Sequence, residues 1–467
     1  MKHKFIIIFL CLYGFFKEFR PITPFLTPFL ISDKKGFTKD EVYTNVYPLW
    51  AYAHLIFSIP IVLFTDYLNF KPILLIECIS LIGTGFLLTF GKSLFSIQLT
   101  QITYGCATSS EIAFMSYLYT KVQDNEIVFV TGIIRGVILL SKCLCTSIGQ
   151  LGISLQWFNL TFLNESTLVM SILALPFVLF AIFPGTCIKK DKTINRNINH
   201  DIEENISLNI SDKIIDSKKN KKVRTLNFIE RIRYVKSNLS DPLLLIVWSI
   251  WWIITSALIY QMYNYIQVHW TPLQIVTGNI YNGSVEFINT LLGASVTLIF
   301  SRLKINWKKY TGLITVFSSI FFSFLFIALA ETTNIYISYI LYIIINVTYL
   351  FLIAIASSIL ASIVDVNGIG IVFGVISLIA SLFQSLLGFL LIHGNVWTLN
   401  TKQQFSINSL IFLLFFIIFI IISCLNIIIN NKNKNRGEED SNSIKIINEE
   451  KLKEIFQTNE NIFKELT

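Results

Sequence analysis

The first apolar stretch of the chain, FIIIFLCLYGFFKEFRPITPFLTPFL, is interrupted by Lys17, Glu18 and Arg20, and a carboxylate, Glu111, sits in the fourth such stretch. Ionised groups in hydrocarbon are costly, so they pair with one another or line the path of a solute or ion. Tyr104, Thr108, Glu111 and Met115 recur at three- or four-residue spacing, which places them on one helical face. A carboxylate there can face a solute or carry a proton. It can equally form a structural pair with Arg135 in the next apolar stretch, because a buried carboxylate needs a partner, and the two roles coexist if the pair opens when solute arrives. Tyr47, Trp50 and His54 share another face, as interfacial anchors or as rings that attract a flat cation. Tyr260, Gln261, Asn264 and Gln267, then Tyr281, Asn282 and Glu286, add polar groups that must be satisfied internally, by water or by solute. Singly, such amides are more often glue between helices than ligands.

These residues lie in a chain of 467 residues that is 54% hydrophobic and 14% charged, with 40 Phe, which is the composition of a polytopic membrane protein. A span needs about 20 mainly apolar residues. Windows of that kind fall near 5–30, 46–64, 73–90, 94–119, 127–150, 168–187, 241–263, 281–300, 309–329, 333–356, 366–392 and 406–429, twelve in all. The first has no small-residue cleavage signal and reads as a retained helix.

The tract between Cys187 and Asp241 carries 13 of the Lys and Arg residues that give the chain its formal charge of +8. With no nucleic-acid-binding fold around it and a span on either side, it reads as a cytoplasmic loop, which puts both termini inside by the positive-inside rule. The opposite side then receives 151–167, where Asn159 and Asn164 head glycosylation sequons. Seven cysteines, mostly within apolar stretches, have neither metal-ligand spacing nor disulfide density. No metal, cofactor or covalent chemistry is expected, since no nucleophile–base or metal motif of an enzyme is present.

Six spans, a polar loop and six more spans suit an all-α transporter of the major facilitator architecture, in which two six-helix bundles rock about a central site. The expected boundaries are 1–187 for the first bundle, 188–240 for the basic linker, 241–429 for the second bundle and 430–467 for a polar tail. In TDYLNFKP, Asp66 and Lys71 flank the turn between spans two and three, as a conformational latch or as an ordinary charged turn.

CLYGFFKEFRPITPFLTPFL, VYPLWAYAHL, FTDYLNFKP, YGCATSSEIAFMSYLY, QMYNYIQ, YNGSVEFINTLLGA and IVFGVISLIASLFQS resemble, in that order, the solute carriers that comprise the reduced folate carriers and thiamine transporters. The resemblance covers about Cys11 to His393 without the central loop. It implies twelve spans and a vitamin as substrate, either a folate exchanged for organic anions or thiamine taken up as a cation. It also implies Glu111 as the substrate or coupling group, and Phe114, Tyr47 and Trp50 around the vitamin's rings. Asn282 corresponds to the asparagine of a Tyr-Asn-Gly signature and Arg135 to a family arginine, while Thr23 departs from the glutamate many members have there. Positions where the folate branch places cations correspond here to Asn346 and Gln384, which are neutral. An amide does not offset a dianion, so the expectation at this stage is thiamine uptake, with reduced folate as the alternative. The expected partners are the vitamin, the lipid bilayer and a coupling proton or counter-transported anion, at the plasma membrane.

Overall fold

The computed structural model describes residues 2–64, 70–119, 127–182, 228–237, 239–278, 280–302, 305–364, 368–393 and 399–425. Asp66, the tail 430–467 and most of the linker lie outside them.

The described chain is helical throughout. Helix α1, Lys2–Glu18, stops where Pro21 and Pro24 remove backbone donors, and the chain continues as a short turn at Thr23–Phe25 and then α2, Leu26–Ile31. The break leaves carbonyl groups of residues 23 and 24 free to accept bonds from side chains, which becomes important below. There follow α3 (Pro48–Phe64), α4 (Phe70–Phe90), α5 (Leu94–Tyr119), α6 (Ile127–Ser154) and α7 (Leu160–Ile182). Helix α7 begins earlier than the apolar window suggests because Asn159 caps it, its Oδ1 accepting from the Phe162 N–H at 2.8 Å.

After the short α8 (Phe228–Ser237) comes α9, Pro242–Thr277, a 36-residue helix. Asp241 caps its start, accepting from Leu244 N at 3.0 Å, and Gly278 ends it in the left-handed region at φ 70°. The sequence window stopped at 263; the helix runs on for several turns because its polar residues are bonded to neighbours rather than to water. Next are α10 (Asn282–Arg302), α11 (Thr311–Glu331), α12 (Ile335–Ile363), α13 (Ile369–Gly388) and α14 (Thr401–Leu425).

Among the described residues, eight helices are long and apolar enough to cross a membrane: α4, α6, α7, α9 and α11–α14. Of the remaining helices, α1 and α3 have 17 residues each, and α5 and α10 are more polar. The polarity of α5 is what builds the site. The chain forms two compact units. The larger comprises residues 1–305 and 325–408. Part of its core is Leu10, Tyr13, Leu74, Phe114, Ile134 and Val178, drawn from α1, α4, α5, α6 and α7. The smaller, 306–324 with 409 onward, is held by Ser323 and Ser409, whose hydroxyls each donate to the other's carbonyl at 2.9 and 2.7 Å. Phe322 stacks on Phe412 in the same unit.

Candidate functional site

Within the larger unit a cavity of about 460 Å³ is walled by the broken segment after α1, by α3, α4, α5 and α7, and by α9. That size suits a drug-sized organic molecule. Helix α5 presents Gln101, Tyr104, Thr108 and Glu111 to it, at the spacing one helical face requires. Tyr47, the residue before α3, lines it as well, and α3 itself presents Trp50 and His54. Thr108 fixes two of these rings, since its Oγ1 accepts from Trp50 Nε1 at 3.2 Å and lies 3.1 Å from His54 Nδ1. Trp50 and His54 stack with centroids 5.5 Å apart, and Tyr104 lies 6.4 Å from Trp50. Helices α3 and α5 approach this closely because of Gly105: a Cβ there would lie 2.6 Å from Ala53 Cβ and 2.8 Å from the His54 nitrogen. Opposite, α9 contributes Tyr260, Tyr263, Asn264 and Gln267.

Behind the wall lies a cluster of charges, of which Lys17, Glu18 and Glu77 are buried. Lys17 donates to Glu77 at 2.6 Å, with side-chain exposures of 1% and 3%, and its ammonium sits 4.5 Å from the centre of the Phe114 ring. Glu18 accepts from Arg20 at 2.9 Å and pairs with Lys142 at 3.3 Å. Arg20 reaches the cavity, with its guanidinium 5.2 Å from the centre of the Tyr104 ring. Three cations, Lys17, Arg20 and Lys142, thus face three carboxylates, Glu18, Glu77 and Glu111. Of the six, only Glu111 has no oppositely charged side chain within 4.0 Å among the described residues, and it is exposed to the cavity.

The structure gathers Glu111, Tyr47, Trp50, Asn264, Thr23 and Arg20 around one cavity. It separates other expected residues from it. No ion pair joins Arg135 to Glu111, and Arg135 is exposed away from the cavity wall. The reason is packing: α6 lies mainly against α1 and α10, so consecutive helices α5 and α6 are not close neighbours. Phe114 is fully buried against Tyr13 and Lys17, behind Glu111 rather than in the cavity. Asn346 and Gln384, 0% and 1% exposed, and Gln261 are also off the wall, so the expectation that neutral amides define the electrical character of the cleft does not hold in this conformation. Asn282 is buried too; its Nδ2 donates to Pro24 O at 2.8 Å and its Oδ1 accepts from Gln274 at 2.6 Å.

Asn164 is 1% exposed and donates to Thr89 Oγ1 at 2.8 Å, which excludes it as a glycan acceptor in this fold, while Asn159 is an exposed helix cap. Lys71 begins α4 and is partnered, but its expected counterpart Asp66 is outside the described residues. Sequence reasoning missed Glu77 and Lys142. Their signal was the same as that of Glu111, one charge in an apolar run, in LLIECIS and ILLSKCL.

A sequence profile of the family described as Reduced folate carrier matches residues 1–407. The chain belongs to this family. It is 33% identical to Folate transporter 1 of Caenorhabditis elegans over 94% of this chain and 96% of that protein. It is 31% identical to Thiamine transporter 1 of Homo sapiens over 88% of each. The fold resembles that of a POT family transporter in complex with 5-aminolevulinic acid, with a TM-score of 0.59 and 12% identity, covering 89% of this chain and 95% of that one. A member of the reduced folate carrier family is a multi-pass secondary-active transporter and not an enzyme.

Proposed function

We propose that the protein carries a vitamin bearing an aminopyrimidine ring across the plasma membrane by alternating access of two six-helix bundles, with reduced folate as the first candidate. The observation that carries this reading is a carboxylate, Glu111, without a cationic partner within 4.0 Å among the described residues, lining the cavity with Trp50, Tyr104 and Tyr47. A flat heterocycle stacks on such rings, and its amino group and ring N–H donate to a carboxylate in charge-assisted hydrogen bonds. Folate supplies that edge through its pterin. Arg20, the cationic side chain on the wall, is the group to which its glutamate tail would turn. The basic linker supports a cytoplasmic position for both termini by the positive-inside rule.

Thiamine is the second reading. It shares the aminopyrimidine edge and adds a thiazolium cation, which an ionised Glu111 and the aromatic wall would favour. Of the two grounds for thiamine, Glu111 with Tyr47 and Trp50 lines the cavity, whereas the neutral Asn346 and Gln384 are buried away from it and do not discriminate between the vitamins. Uptake of labelled reduced folate and labelled thiamine by cells expressing the chain, each competed by the other, decides. Saturable folate uptake insensitive to thiamine supports the first reading and the converse supports the second. If neither vitamin enters above background, the ring-recognition reading is wrong.

A further inference from the structure

The carbonyls freed by the break after α1 are taken up by α9 and α10. Gln267 Nε2 donates to Thr23 O at 2.9 Å, and its Oε1 accepts from Thr27 N at 3.1 Å. Asn282 Nδ2 donates to Pro24 O. Thr23 and Gln267 are also cavity-wall residues, so these bonds tie the segment after α1 to α9 at one end of the cavity. That end holds the C-terminus of α6, the C-terminus of α9 and the N-terminus of α10.

There Gln150, on α6, is 5% exposed and fully engaged with the neighbouring turn. Its Oε1 accepts from the backbone N–H groups of Gly283 and Ser284 at 2.9 and 3.2 Å. Its Nε2 donates to Ile280 O at 2.9 Å and to Ser154 Oγ at 3.0 Å. The first N–H groups of any helix lack partners within it, so α10 receives its cap from another helix. The contact admits no side chain at 283, where a Cβ would lie 2.9 Å from Gln150 Cβ and 3.0 Å from Thr146 O.

We propose that Gln150 is a positioning residue of the transport cycle, an amide clasp on the start of α10 that holds this end of the cavity shut and must release before the solute can pass that way. The inference rests on the transport reading but not on which vitamin is carried. Separating α6 from α10 exposes the Gly283 and Ser284 N–H groups to water and breaks the bond to Ile280 O in one event, because the same side chain makes all three bonds across the contact. Such an arrangement has two defined states rather than a graded series.

The test uses the full chain in lipid nanodiscs, with native cysteines replaced and spin labels at Leu155→Cys and Tyr281→Cys, both exposed positions beside the clasp. The parent chain should show a short-distance population, and Gln150→Ala and Gly283→Ala should each move the ratio of long to short distances by about tenfold. Gln150→Glu keeps the acceptor for both N–H groups and should lie between. Distance distributions that superimpose on the parent in all three variants overturn the proposal. Should the variants fail to fold, hydrogen exchange on the unsubstituted chain serves instead: Gly283 and Ser284 amides should be protected and open together, and exchange at unprotected rates refutes the clasp. A tenfold population shift without uptake of either vitamin would leave the clasp standing and remove the substrate reading.

Discussion

Replacing Glu77 with Ala isolates the Lys17 ammonium among Tyr13, Phe114 and the apolar face of α1, at 1% side-chain exposure. Breaking a buried pair by removing one partner costs about 3–5 kcal/mol, since the remaining charge loses its compensation without regaining water. Against a typical total stability of about 5–15 kcal/mol that is a large share, so the variant should unfold several degrees earlier in detergent, with reduced yield. Removing both charges is different. Lys17→Met with Glu77→Leu replaces the pair by apolar groups of similar volume, which is commonly neutral or stabilising by about 1–4 kcal/mol. Thermal and denaturant unfolding of the parent, both single variants and the double variant form a cycle whose coupling energy measures the pair. Because neither residue lines the cavity, the double variant should also retain uptake. If Glu77→Ala costs less than about 1 kcal/mol, or if the double variant is no better than the worse single one, the pair is not the buried, dry contact described and the reasoning fails.

Gly105→Ala forces a methyl group against Ala53 and the α3 backbone at His54, and overpacking of this kind costs about 1–3 kcal/mol. It should also raise the KM for uptake, because it displaces Trp50 and His54, and an unchanged KM with unchanged stability would refute the tight α3–α5 contact. Outside the membrane, the Thr38 N–H and hydroxyl hold the Glu41 carboxyl below the usual carboxylate range. A carboxyl lowered on folding stabilises above its unfolded pKa and loses that contribution as pH falls through the folded value. Thr38→Ala removes the hydroxyl but keeps the backbone N–H, so it should move the Glu41 titration, followed by NMR of labelled glutamate, only part of the way back to the ordinary range.

Much of the cavity wall was legible because it follows from helical period. Tyr104, Thr108 and Glu111 on α5, and Tyr47, Trp50 and His54 on α3 and the residue before it, share faces that spacing alone specifies, and all six reach the cavity. What period does not give is which helix stands opposite. Arg135 was assigned to Glu111 by chain order, whereas α6 packs on α1 and α10 and delivers Lys142, not Arg135, to the charge cluster. Depth is hidden in the same way: Gln384 and Asn346 are as polar as Asn264, yet only Asn264 reaches the wall. Gln150 gave no signal at all, since one amide near a helix end is unremarkable until the partner turn at Gly283 is known.

Charge balance in the cluster gives the sharpest consequence for Glu111. With all six groups ionised, Lys17, Arg20 and Lys142 are offset by Glu18, Glu77 and Glu111, and the empty site needs no compensating ion. An anion entering such a site adds uncompensated charge at low dielectric, which is expensive. A proton on Glu111 leaves a surplus positive charge, so proton and anion would enter more easily together than either does alone. Under the folate reading, uptake should therefore rise as the outer solution is acidified, and Glu111→Gln, which fixes the neutral form, should flatten that dependence. Under the thiamine reading Glu111 stays ionised against the ring, and losing its charge-assisted bonds, about 1.5–3 kcal/mol, should raise KM by about ten- to a hundredfold in the same variant. Uptake measured from pH 5.5 to 8 separates the two effects, because one changes the shape of the profile and the other its position on the concentration axis. If Glu111→Gln keeps the full pH dependence of the parent, the coupling proton resides elsewhere. Glu286 would then be examined first, because its carboxylate is held by Tyr342 at 2.6 Å and by Asn289 at 3.4 Å, with no cation in the pair.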